Sequence, residues 1–281
     1  MRKLLCANMV RIRKTKVFWG GMVLLAGFNV WMFLDYYFQA KTYKLAMPEI
    51  FAESIFRAIV MVGILISVCS SLITGTEYDD GTIRNKLMIG QARVHIYLAD
   101  ELSCLAASMI QAFAAVAAVL LTGFLLIGQP DMDARHFFKV CLVLIFVCVS
   151  YVSVFHMFSM LVTSKSHAAM INVLLAFALL TASSVIAQYL YAPAFITDYI
   201  TTENGVREVV RDIPNPNYLT GTKRAVYQFL HDFLPSGQNM QVSVFSVQKE
   251  MHTALMCLYA AVVTLGTNAV GMILFQRKDI K

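Results

Sequence analysis

The stretch Gly75–Glu101, GTEYDDGTIRNKLMIGQARVHIYLADE, decides how this chain is read. It gathers Glu77, Asp79, Asp80, Arg84, Lys86, Arg93, Asp100 and Glu101 in a chain that is 58% hydrophobic and only 14% charged. Long apolar runs lie on either side. Asp79-Asp80-Gly81-Thr82 supplies the residues of a turn and a helix cap. From Thr82, the apolar Ile83, Leu87 and Met88 alternate with Arg84, Asn85 and Lys86, which predicts a short amphipathic helix closed at Gly90. From Gln91 a second amphipathic stretch (Val94, Ile96, Tyr97, Leu98) leads into the next apolar run. A polar helix-turn-helix with an apolar face, strung between two greasy segments, suits docking to a soluble partner.

The surrounding runs set the fold class. Mean hydropathy is +0.65 over 281 residues, whereas a soluble domain carries about a quarter of charged residues. Spanning a bilayer takes about 20 consecutive apolar residues in a helix. Six runs qualify: Val17–Leu34, Ala58–Thr76, Leu102–Gly128, Val140–Ser164, Ala168–Tyr191 and Thr253–Gln276, none of which contains Asp, Glu, Lys or Arg. The expectation is an all-α membrane protein with six transmembrane helices. The first run follows a long basic segment and lacks a small-x-small site, so it reads as a span rather than a cleaved signal peptide.

Basic residues orient the spans. With the N-terminus inside, 13 of the 23 Lys and Arg fall in interior segments. The other ten are exterior, half of them in the long last loop, which weighs little. Both termini are therefore expected on the cytoplasmic side of a multi-pass cell-membrane protein. The net charge of +6 follows from this topology and gives no reason to expect nucleic acid as a partner.

Residues 1–16, MRKLLCANMVRIRKTK, place Leu5, Met9 and Ile12 on one helical face, a basic interfacial helix against an anionic leaflet. The remainder, 17–281, forms the span-bearing domain, with the charged loop at 75–101 and an exterior segment at 192–252. Within that segment, Val226, Phe229, Leu230 and Phe233 share a face of Gly221–Phe233. This predicts a short helix packed over the outer ends of the spans, followed by a turn at LPSGQ. Six cysteines (Cys6, Cys69, Cys104, Cys141, Cys148, Cys257) lie in spans or in the N-terminal segment with no CxxC, and read as packing residues.

Asn29, Asn172 and Asn268 are polar groups within spans. They could line a pathway, or they could hydrogen-bond between helices. His156 stands alone on its span, with no His or carboxylate at i ± 3 or 4, and reads as a packing histidine without metal. No GxxxxGK[ST], HExxH or GxSxG occurs, so neither ATP binding nor a membrane protease is expected of this chain and no catalytic residue is assigned. Glu77, Asp80, Gly81 and Arg84 loosely parallel the acidic motif of CDP-alcohol phosphotransferases. The later aspartate pair that would complete the metal site is missing, leaving lipid headgroup transfer a remote alternative.

The loop carries a stronger likeness. E-Y-x-x-G-T-I-R-N-K-L-x-x-G-x-x-R-x-x-I-Y-L-A, from Glu77 to Ala99, resembles the first cytoplasmic loop of ABC type-2 permeases. FLPSGQ (Phe233–Gln238) and the terminal FQRKDIK (Phe275–Lys281) agree with it. The resemblance implies the membrane subunit of a bacterial ABC exporter, moving peptide, drug or lipid. It further implies a second permease, identical or related, and separate ATP-binding-cassette ATPase subunits that carry ATP and Mg. Glu77, Tyr78, Gly81, Thr82, Ile83, Arg84, Asn85, Lys86, Leu87 and Met88 would then form the cytoplasmic coupling helix. On the amphipathic pattern, Ile83, Leu87 and Met88 would seat in the ATPase, with Glu77 and Arg84 orienting the element. The alternative is a non-transporting anchor or sensor subunit.

Overall fold

Two glycines mark the turns of the charged loop. Gly81 (φ 66°) and Gly90 (φ 81°) both adopt the left-handed conformation that costs a side-chain-bearing residue about 1–2 kcal/mol. They bracket a two-turn helix, as the sequence predicts. The computed structural model describes residues 1–201, 207–244 and 252–279.

In chain order the helices are α1 (Arg2–Lys14), α2 (Lys16–Tyr43), α3 (Met47–Ser54), a 3-10 turn (Arg57–Met61), α4 (Val62–Asp79), α5 (Thr82–Met88), α6 (Arg93–Leu126), α7 (Ala134–Leu161) and α8 (Lys165–Leu190). Strands β1 (Phe195–Thr201) and β2 (Arg207–Pro214) follow, then α9 (Gly221–Phe233), α10 (Pro235–Val244) and α11 (Thr253–Arg277). Among the described residues six helical stretches are long and apolar enough to cross a membrane: α2, α3 through α4, α6, α7, α8 and α11. They coincide with the six charge-free runs but extend beyond them. Helix α4 continues to Asp79, and α6 begins at Arg93, nine residues before its run opens at Leu102.

Within the bundle α7 packs along α11, α2 along α6, and α4 along both α7 and α8. Small residues let α4 approach closely: a Cβ added to Gly75 would lie 2.9 Å from the Lys165 backbone at the start of α8. The 3-10 turn interrupts the second span and frees backbone donors that lipid cannot satisfy. Asn29 of α2 meets one of them: its carbonyl oxygen accepts from Ala58 N at 3.2 Å while its amide donates to Ala115 O at 3.1 Å.

The two ends of the bundle differ. At one end α1, the α4–α5–α6 turn and Lys278 converge, through Arg11–Glu77, Lys86–Asn8 and Lys278–Tyr78 contacts. At the other end α10 lies across the 3-10 turn, α7 and α8. Gln238 donates to Asp232 O at 2.7 Å and Met256 O at 2.9 Å, and Asn239 to Val60 O at 3.0 Å.

Two expectations are corrected here. The fold is predominantly helical rather than all-α, because β1 and β2 pair antiparallel from Phe195↔Pro214 to Thr201↔Arg207. LPSGQ opens helix α10 instead of forming a turn; proline suits the first helical position, where its missing N–H has no partner to lose. Helix α9 forms over the expected residues and packs on the ends of α8 and α11, with Phe229 and Phe233 meeting Tyr259 edge-on, while Val226 and Phe229 stay about half exposed. Of the segment 192–252, residues 202–206 and 245–251 lie outside the described residues, as do the last two of FQRKDIK.

Candidate functional site

Where α1 meets the loop, the structure buries charge. Glu77, in the last turn of α4, is 0% exposed. It pairs with Arg11 of α1, and Lys86 of α5 donates to its two carboxylate oxygens at 2.6 and 2.8 Å. Lys86 also donates to Asn8 Oδ1 at 3.0 Å, joining α5 to α1. Arg11 Nη2 reaches to 3.7 Å from Asp100 Oδ1 on α6. Asp100 is fully buried; it accepts from Thr74 Oγ1 at 2.6 Å and lies 3.2 Å from His156 Nε2 on α7. A carboxylate flanked in this way accepts, which places the imidazole proton on Nε2 facing it. Two cations face two carboxylates across α1, α4, α5 and α6, with His156 closing the set on α7. Such charges persist in a bundle interior only when paired and hydrogen-bonded.

Beside this set lies an apolar lock. Ile83 (1% exposed) packs with Ile96, Tyr97, Met160 and Phe275, and Leu87 and Leu98 flank the cluster. The C-terminal residues close over it. Lys278 Nζ lies 4.2 Å over the Tyr78 ring and donates to Met160 O and Tyr78 Oη, each at 2.9 Å. Arg93 Nη1 donates to Phe275 O at 2.9 Å. Burial pulls the Lys278 ammonium down to about 8.

The loop residues therefore divide. Glu77, Tyr78, Ile83, Lys86 and Leu87 turn inward, Glu77 and Ile83 completely, whereas Arg84, Asn85, Met88 (70% exposed) and Ile89 (72% exposed) face out. Ile83 and Glu77 are thus not presented to any partner surface. The two-turn amphipathic pattern spends its first apolar residue on the chain's own core. Gly81 and Thr82 form the turn, with Thr82 Oγ1 donating to Glu77 O at 3.1 Å.

The intramembrane asparagines are placed as bridges. Asn29 spans the 3-10 break, and Asn172 of α8 donates to Phe155 O at 3.0 Å and Ser159 Oγ at 2.8 Å on α7. Both are 0% exposed and reach no surface of this chain. Asn268 of α11 is half-buried and donates to Glu101 Oε1 at 2.7 Å. His156 is a hydrogen-bonded histidine, but its partner is Asp100 on another helix, a relationship that spacing along one span does not reveal. Asp100, Arg11 and Thr74 were not singled out from sequence; the legible signal was a carboxylate on a helix that continues straight into a span.

The sequence matches the family model of the ABC-2 family transporter protein over residues 4–190. That stretch takes in α1 through α8 and with them the whole buried charge set. Among curated proteins none matches the chain. With two thirds of its length matched to that model, and with six apolar helices behind it, the chain belongs to the ABC-2 family of transporter permeases.

Proposed function

We propose that the protein is the membrane-spanning subunit of a bacterial ABC exporter, and that α5 receives the stroke of a separate ATP-binding-cassette ATPase subunit. The observation that carries this reading is the two-faced build of α5. Its inner face is fastened to five helices, α1 and α4 by Lys86 and α6, α7 and α11 by Ile83, while its outer face presents Arg84, Asn85, Met88 and Ile89. A force-bearing contact needs both: a partly apolar outer surface to hold the partner, and rigid attachment to the spans it must move. In this reading ATP and Mg bind the partner, both termini are cytoplasmic, and a second permease completes the passage. Of the asparagines considered as lining, Asn268 is the one left partly open on the chain surface. The cargo class is peptide, drug or lipid.

The test separates docking from folding. Met88→Asp with Ile89→Asp should leave the permease inserted and thermally stable yet abolish co-purification with its ATPase subunit and ATP-driven transport. Ile83→Asp should instead lower the stability of the permease alone, by several kcal/mol for an unpaired carboxylate placed in the apolar cluster. ATPase association that survives the outer-face pair would overturn the docking assignment.

A further inference from the structure

The structure holds a groove that neither the coupling reading nor family membership assigns. It lies where α1 bends into α2 at Thr15, whose backbone is extended (ψ 136°). Its volume is about 500 Å³, and its walls come from α1, α2 and α6: Met9, Arg13, Lys14, Trp19, Ala107 and Ile110 among them. The bend is pinned. Thr15 Oγ1 donates to Ile12 O at 2.7 Å and Trp19 Nε1 to Arg13 O at 2.8 Å, while Ile12 is buried and anchors α1 inward.

Depth and charge identify the occupant. Ala107 and Ile110 lie five to eight residues into the apolar run that opens at Leu102, about 8–12 Å along the helix. The groove floor therefore lies within the acyl region, and Arg13 and Lys14 stand at its rim. Both are exposed, and among the described residues neither forms an ion pair. Helix α1 contains no Asp or Glu, and the first acid of α2 is Asp35, at the far end of the span. Trp19, 49% exposed, lines the wall at the interfacial level where tryptophans concentrate. An apolar slot of this size with two unpaired cations at its mouth matches an acyl chain below a phosphate.

We propose that this groove is a binding site for one anionic phospholipid of the bilayer, its acyl chain along Met9, Ala107 and Ile110 and its phosphate on Arg13 and Lys14. The site rests on the membrane-spanning fold alone and is independent of the coupling role of α5. Bound lipid would fix the angle between α1 and α2, and so the position of Arg11 against Glu77 and Asp100.

Brominated phospholipids test it, because bromine on an acyl chain quenches tryptophan at contact. The chain has two tryptophans, so a Trp31→Phe background leaves Trp19 as the sole reporter. The detergent-purified protein is titrated with brominated phosphatidylglycerol and, separately, brominated phosphatidylcholine. Two cationic contacts predict a roughly 30-fold preference for the anionic lipid. Arg13→Gln with Lys14→Gln should reduce it to within about threefold of the neutral lipid, by the same contacts. Met9→Tyr with Ile110→Tyr, which fills the slot and keeps the charges, should remove saturable quenching by both lipids. Arg2→Gln with Lys3→Gln, on the same helix away from the groove, should keep the preference. No preference in the unaltered groove would overturn the site. So would equal loss in the Arg2/Lys3 variant, or undiminished quenching in the filled groove, either of which would mean diffuse surface attraction.

Discussion

Lys86 reaches back across the Gly81 turn to place its ammonium 2.6 Å from one carboxylate oxygen of Glu77 and 2.8 Å from the other. The turn sets the two residues nine apart in sequence but side by side in space. Glu77 is 0% exposed, so the pair cannot be treated as a surface salt bridge of negligible worth. Its removal in halves is the informative experiment. Glu77→Gln leaves Lys86 and Arg11 without their shared carboxylate and should cost about 3–5 kcal/mol. Lys86→Met leaves Glu77 still paired with Arg11 and should cost roughly 1–3 kcal/mol. The double variant should be less damaged than the two losses added. Unfolding followed by tryptophan fluorescence gives the ranking; strict additivity would show that the two residues act separately.

The C-terminal lock titrates. Burial draws Lys278 from 10.5 down to about 8, so the unfolded chain holds this proton more tightly than the folded one. Below about 8 the buried ammonium opposes docking of the C-terminal residues. As pH rises from about 8 toward 10.5 only the unfolded form stays charged, and the contribution becomes more favourable to the folded state. After reductive methylation with carbon-13, the Lys278 resonance should titrate near pH 8, well below the exposed lysines. A midpoint at the ordinary lysine value would mean that the segment is not packed over Tyr78.

Much of this arrangement was legible in the sequence, and the failures share one cause. Runs free of charge gave six spans because lipid admits few unpaired charges, and Gly81 and Gly90 gave the loop turns because their conformations favour glycine. The same scan ended each span at the first charge. It therefore read Glu77 and Asp100 as loop residues, although α4 and α6 carry them into the bundle. Their burial depends on Arg11, which is 66 residues before Glu77, and on His156, 56 residues after Asp100. No local pattern encodes those pairings. Ile83 was assigned to a partner for a similar reason: amphipathicity shows that a face is apolar without showing which surface covers it. The β1–β2 ladder is weakly encoded: FITDYIT and REVVRDIP carry β-branched residues, but Asp, Glu and Arg interrupt both and leave no clean alternation.

Membrane orientation yields to labelling, with sites chosen from the structure. Gln238 lies in the segment expected outside, but its side chain is 0% exposed and holds two backbone carbonyls, so a cysteine there would report folding rather than sidedness. Lys223 on α9 and Asn85 on α5 are exposed. An impermeant maleimide added outside intact cells should modify Lys223→Cys and spare Asn85→Cys until the membrane is opened. The reverse pattern would invert the topology and place α5 beyond the reach of a cytoplasmic ATPase.

Asp100 offers the sharpest separation between holding the fold and transmitting force. Its carboxylate is the meeting point of four elements: Thr74 on α4 and His156 on α7 bond one oxygen, and Arg11 on α1 approaches the other, while the residue itself sits on α6. Asp100→Asn keeps the size and the acceptor for Thr74 but removes the charge that balances Arg11. Neutralising a buried partner costs about 3–5 kcal/mol when nothing else compensates. Here Glu77 still pairs with Arg11, so roughly 1–2 kcal/mol is expected, the scale of one charge-assisted hydrogen bond. That leaves a folded bundle whose α1 and α6 are no longer tied through Arg11. If motion of α5 reaches the spans through this set, the variant should bind its ATPase normally and hydrolyse ATP, yet transport little per ATP consumed. His156→Gln, which can still donate to Asp100, should retain more transport than His156→Leu. An Asp100→Asn permease that transports at the normal ratio to ATP hydrolysis would reduce the buried charges to a structural brace.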